Sequence, residues 1–186
     1  MSHGHMFHGL HVYEEAVRVP LILRWPGHLS PNLKVERPFP LVDLAPAILE
    51  LIGDSPEGPL ASAGSASRLL GEADAIEEDT PIFLYRRHYA DAEEEEGENN
   101  PRGEKFGVRL GRWKLIVGPE EGTLELYNLT VDPMEQDNVV GEEPERVAKL
   151  SALVNAWRRE HERDSLDPPA LPLQDRDRLK ALGYVE

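Results

Sequence analysis

Apolar residues in this chain are grouped, and the spacing inside each group predicts an element. Val19-Pro20-Leu21-Ile22-Leu23 is a continuous apolar run of strand length, extended by Arg24 and closed by Trp25-Pro26-Gly27. A run of that kind fits a strand covered on both faces. Pro20 cannot donate to a ladder, so it belongs at the strand's start. From Leu41 to Gly53 the period changes. Ile48, Leu49, Leu51 and Ile52 give a helical apolar face, with Asp43 as N-cap, Pro46 in the first turn and Gly53 as the stop. Pro81 to Arg87 reads as a strand. Phe106 to Val117 reads as a hairpin turning at Gly111-Arg112, in which Trp113, Leu115 and Val117 alternate with Lys114 and Ile116. Leu124 to Leu129 is a further strand. Pro144 to Glu162 carries Val147, Leu150, Val154 and Trp157 at helical spacing, with Glu142 and Glu143 at its start and Arg158, Arg159, His161 and Arg163 at its end. That stripe docks the helix on the antiparallel strands before it.

The segments between these elements are polar. Asp54 to Thr80 is rich in Gly, Pro, Ser, Ala and acids and reads as a surface connection. Asp91 to Lys105 is a long loop containing Glu93 to Glu96. Adjacent glutamates lack the ligand spacing and the sharp glycine turn of a calcium loop. Leu166 to Glu186 is a proline-rich tail with a short helix from Asp175 to Leu182. The organisation expected is residues 1–53, a linker at 54–80, a sheet-plus-helix subdomain at 81–163 and the tail at 164–186.

Composition narrows the function classes. The 186 residues, 40% of them apolar, suffice for one core with an appendage. A formal net charge of -15 excludes nucleic acid as a partner, because nothing basic is left to displace counterions. With no cysteine, disulfides, thiolate zinc sites and cysteine nucleophiles are excluded. No run approaches the ~18 apolar residues of a membrane span. No basic-then-apolar leader opens the chain, so as written it stays in the cytoplasm.

Candidate chemistry is concentrated at the start. His3, His5, His8 and His11 fall within nine residues. Such a tract suits Zn²⁺, Ni²⁺ or Cu²⁺, although this spacing specifies no site geometry. A chain end without a role is the plainer reading. Glu14 and Glu15 are adjacent carboxylates that point in different directions, which favours structural duty over acid–base work. Arg18, beside an expected buried strand, calls for an acidic partner, and Glu14 or Glu15 is the local choice. The Glu93–Glu98 loop could instead meet a basic protein partner.

The order of motifs resembles the type I sulfatases of the alkaline phosphatase superfamily. One block is His3-Gly4, Phe7-His8-Gly9, Tyr13-Glu14-Glu15, Arg18-Val19-Pro20-Leu21-Ile22 and Trp25-Pro26-Gly27. A second is Val108-Arg109 with Trp113-Lys114-Leu115-Ile116, then Glu125-Leu126-Tyr127-Asn128-Leu129, then Asp132-Pro133 with Glu135 and Asn138. Ser2 stands where that family usually has Glu. The resemblance implies an α/β fold, alkaline phosphatase-like and partial, with a C-terminal α+β subdomain of small antiparallel sheet and long helix. It implies that His8 contacts the sulfate and the leaving group, and that His3 matches the histidine of Gly-Glu-His-Gly. The family's Ca²⁺ is held by residues that this sequence does not contain, and its formylglycine motif, Cys/Ser-x-Pro-x-Arg, is absent too. The chain is then expected to be a C-terminal fragment of a sulfuric ester hydrolase, inactive alone and not binding Ca²⁺ itself. Its full-length relatives would act on a sulfate-ester small molecule or glycan and would often be exported. Phosphonate monoester hydrolases and phosphodiesterases share the same C-terminal blocks. The Val19 strand should lack a neighbour and expose an apolar edge.

Overall fold

A computed structural model describes residues 11–54, 65–71, 80–87 and 103–164. Four strands form one antiparallel sheet in sequence order: β1 Ile82–Arg86, β2 Lys105–Leu110, β3 Trp113–Gly118 and β4 Thr123–Asn128. The expected hairpin sets the register. Leu110 pairs with Trp113 across a two-residue loop, and the positive φ of 56° falls on Gly111, where glycine takes it without steric cost. Leu115 in turn pairs with Val108 on one side and Leu126 on the other, at the centre of the sheet.

Helix α4, Pro144–Asp164, covers one face of the sheet. Its Leu150 and Val154 are buried against Phe106, Val108, Trp113, Leu115 and Leu126, as the helical stripe required. Trp157 stacks nearly parallel on Phe83, ring centres 5.2 Å apart. The outer edge of β4 is finished by a side chain and by the next stretch of backbone. Asn138 Oδ1 accepts from the Leu126 amide at 2.9 Å, and the Val139 amide donates to the Leu126 carbonyl at 3.0 Å. An edge closed in this way offers no free template for pairing.

The other face of the sheet is covered as well, by the start of the described chain. Val12 is 2% exposed and packs with Ile116 and Tyr127, joined by Tyr13, Val17, Leu84 and Leu129. A four-residue helix, α1 Glu14–Val17, holds this contact. β3 is therefore buried on both parities of its sequence.

The Leu41–Gly53 helix resolves into a 3₁₀ turn, Leu41–Asp43, followed by α2, Leu44–Leu51. Gly53, at φ +83°, ends it as expected. Asp43 stands at the N-cap but makes no capping bond. Its carboxylate is drawn to Arg68 at 2.7 Å instead. Arg68 lies on α3, Ser65–Leu69, a helix inside the stretch expected to be only a surface connection. Glu50 on α2 accepts from the Ala66 amide at 2.8 Å, so α2 and α3 form one small unit.

The expected strand from Val19 to Arg24 is a correction. These residues form no ladder, and Val19 and Ile22 are 52% and 88% exposed. β1 to β4 pair only with one another, so no described strand lies beside the run to satisfy its backbone. The edge is open and apolar, as the resemblance implied. Among the described residues no helix is long and apolar enough to cross a membrane. The Glu93–Glu98 loop and the Asp175–Leu182 helix lie outside the described residues.

Leu115→Ala should cost about 2–5 kcal/mol in urea unfolding, because its site is closed on both sides. Val131→Ala, at a position 77% exposed, should stay within about 0.5 kcal/mol.

Candidate functional site

His3 and His8, with His5, lie outside the described residues. What the structure defines is the base on which that segment stands. His11, the last histidine of the tract, is already part of the fold. Its Nε2 lies 3.7 Å from the Glu15 carboxylate, and its Nδ1 is 3.4 Å from the Tyr13 amide.

The next residues are fixed to the sheet by a charged cluster. Lys114, completely buried, points from β3 toward the face covered by α1. Its Nζ lies 3.0 Å from Glu14 Oε1 and 2.8 Å from Glu135 Oε1. The other Glu14 oxygen meets Arg109 of β2 at 3.2 Å. Glu135 Oε2 accepts from the Glu14 backbone amide at 2.5 Å. Two carboxylates and two cations thus neutralise one another, as burial demands. Beside them, the Tyr13 and Tyr127 hydroxyls both donate to Glu125 Oε2, at 2.7 and 2.8 Å.

Glu135 bears the cost of this arrangement. Its φ is +54°, a region that non-glycine residues seldom enter. The turn that carries it is tied by the Glu135 amide to the Asp132 carbonyl and by the Asp137 amide to the Asp132 side chain. Burial pushes the Glu135 carboxyl above the ordinary glutamate range, and the Lys114 ammonium pulls it back. Burial, followed by the bond to Glu125, raises the Tyr13 and Tyr127 hydroxyls well above the ordinary tyrosine range.

Chemically the cluster is a mooring. Its carboxylates are occupied by cations, which bears out the structural reading of Glu14 against an acid–base role. The expectation for Arg18 is corrected: Glu14 is held by Lys114 and Arg109, and Arg18 is exposed at the end of α1. It leads into open chain rather than a buried strand, so burial imposes no partner on it. Among the described residues no three His, Asp or Glu side chains are grouped to hold a metal. Lys114, Arg109 and Glu135 entered the sequence reading only as members of a motif block, not as candidate site residues. One signal was present: β3 is apolar on both parities, Ile116 as well as Trp113 and Leu115, which marks a strand covered on both faces and buries the lysine among them.

Comparison with known proteins agrees with the motif order. The family model described as N-sulphoglucosamine sulphohydrolase, C-terminal, matches residues 2–160. Arylsulfatase K of Mus musculus is 32% identical over 166 residues, 83% of this chain and 29% of that protein. N-acetylgalactosamine-6-O-sulfatase of Bacteroides thetaiotaomicron is 26% identical, over 77% of this chain and 28% of its own length. The crystal structure of a putative sulfatase from Bacteroides fragilis superposes with a TM-score of 0.60 at 24% identity, covering 78% of this chain and 30% of that one. The chain spans less than a third of each of these relatives.

Lys114→Met should destabilise the fold by about 3–5 kcal/mol near neutral pH, since it leaves two carboxylates without their buried cation. In the variant Glu135 keeps its burial and loses the ammonium, so the folded state holds a proton that the unfolded chain releases. Stability of the variant then rises as pH falls toward the ordinary glutamate range. Urea unfolding at about pH 7.5 and about pH 5.5 should show the gap to the unsubstituted chain narrowing at the lower value.

Proposed function

This chain belongs to the family of the N-sulphoglucosamine sulphohydrolase C-terminal domain, and from that premise we propose that it is the C-terminal portion of a sulfate-ester hydrolase, inactive alone, whose task is to seat the histidine segment at residues 3–11. The observation that carries this reading is the convergence at Lys114. Tyr13-Glu14-Glu15, Arg109, Trp113-Lys114 and the Asp132–Asn138 block are far apart in sequence, and residues from each meet at or beside one buried ammonium. They are the blocks by which the sequence resembles sulfatases.

On this reading His8 donates a hydrogen bond or a proton to the sulfate oxygens and to the departing alkoxide, and His3 stands beside it. A donor aimed at charge that develops in the transition state lowers the barrier directly. It also supplies local attraction for an anion in a chain of net charge -15. The nucleophile and the Ca²⁺ ligands belong to the larger part of such an enzyme. Two of the matched names refer to sulfated amino sugars, which supports a sulfated glycan as the substrate class.

A fluorogenic aryl sulfate tests the reading. The purified chain should show no turnover; turnover by the chain alone would overturn its assignment as an incomplete portion. Joined behind the N-terminal portion of mouse arylsulfatase K, in place of that protein's own C-terminal portion, it should support hydrolysis. His8→Ala in the joined protein should then lower kcat by about 10²–10⁴-fold, with a smaller change in KM. An unchanged kcat would remove His8 from the mechanism.

A further inference from the structure

Of the asparagines in the chain, Asn128 alone begins an Asn-x-Ser or Asn-x-Thr triplet without proline at its centre. Asn128-Leu129-Thr130 is the acceptor signal for an N-linked glycan, and such a signal carries weight where it lies on a surface turn. The structure puts it on one. Asn128 is the last residue of β4, and its carbonyl accepts from the Val131 and Asp132 amides at 3.1 and 2.9 Å. Thr130 is exposed, and Val131 after it is 77% exposed.

The two ends of the Asn128 amide are used differently. Oδ1 accepts from the Thr130 amide at 3.2 Å, which joins the first and third residues of the signal across Leu129. Among the described residues no group accepts from Nδ2, and Nδ2 is not one of the buried polar atoms left without a partner. It therefore meets solvent. Asn138 is the contrast. Its Oδ1 accepts from the Leu126 and Val140 amides, and its Nδ2 donates to the Leu124 carbonyl at 3.3 Å. Both ends of that amide close the edge of β4, and Val139-Val140 follow it in place of a signal. The turn alone does not account for Asn128. An aspartate closes such a turn through its oxygen equally well, so the turn calls neither for the nitrogen nor for a hydroxyl at position 130.

We propose that Asn128 is an acceptor for an N-linked glycan. The co-reactant is an oligosaccharide carried on a lipid diphosphate, and the agent is an oligosaccharyl transferase. A bond forms from Asn128 Nδ2 to the anomeric carbon of the first sugar, and the bond from that carbon to the diphosphate oxygen breaks. The lipid diphosphate leaves with the electron pair, and the proton displaced from Nδ2 passes to a base of the transferase. Only the nitrogen is altered, so Oδ1 keeps its bond to the Thr130 amide and the turn keeps its shape. The glycan projects from the end of β4 beside Val131 and adds polar surface where the chain exposes an apolar side chain.

The whole chain, translated behind a cleavable secretion leader in the presence of rough microsomes, meets both the transferase and its lipid-linked donor. Chains that have lost the leader should migrate as a heavier species on a denaturing gel, and an endoglycosidase should remove the shift. Thr130→Ser should keep the shift. Thr130→Ala, at an exposed position, should lose it, as should Asn128→Gln. Leader removal without a shift would overturn the proposal. A shift that survives Asn128→Gln would place the glycan elsewhere and overturn it too. Urea unfolding then compares the glycosylated chain with the same chain after endoglycosidase. Equal midpoints are expected of a glycan that projects from the turn. A lower midpoint with the glycan attached would show Nδ2 packed against the fold and overturn its outward placement. Sulfate hydrolysis enters neither measurement, so this proposal and the hydrolase reading fail separately.

Discussion

A lysine ammonium buried to zero exposure has to be neutralised, and the described fold follows from how Lys114 is neutralised. The cation is strongly hydrated in water and loses that hydration inside the protein. Two carboxylates replace it, one from the start of the described chain and one from the loop after β4. To supply the second, the backbone at Glu135 accepts a left-handed conformation. To supply the first, residues 11–17 lie down across the sheet. The sheet is thereby covered on both sides by segments from opposite ends of the described chain, α1 at Glu14–Val17 and α4 at Pro144–Asp164, and α4 alone could not have done this.

The result is a molecule finished in one region and open in another. Around the sheet, the β4 edge is closed and the buried charges at Lys114 are paired. Between Val19 and Val42, apolar side chains and backbone groups face a groove. That division is what the proposed reading, a portion of a larger hydrolase, calls for. The mooring at Lys114 lies between the two. It fixes the chain at Glu14, just after the histidine tract in sequence and just before the open run.

Much of this was legible in the sequence. Alternation through Phe106–Val117 and Leu124–Leu129, and the stripe from Val147 to Trp157, gave the sheet and α4, because local spacing records which face is buried. Spacing does not record what does the burying. Lys114 alternates with Trp113 and Leu115 and so looks solvent-facing; only the covering by Val12 and Tyr13, a contact between distant residues, makes it a core residue. Asp43 has the side chain of a cap and the position of a cap, yet Arg68, on a helix not foreseen, takes its carboxylate. The Val19 run has the composition of a central strand. Composition states what a segment would do beside a partner, and no described strand is beside it. The α3 helix was hidden because five residues are too few to show a period.

Hydrogen exchange at the Glu14 to Val17 amides, compared between the unsubstituted chain and Glu14→Gln with the β3 amides as internal reference, tests most directly whether the buried charges hold the N-terminal segment on the sheet. Removing a charged partner from a buried hydrogen-bonded pair should speed exchange at those amides by about tenfold or more while β3 keeps its protection. Unchanged protection at Glu14 to Val17 would show that apolar contact through Val12 and Val17 holds the segment by itself. It would contradict the role of Lys114 and Glu135 as the anchor of that segment.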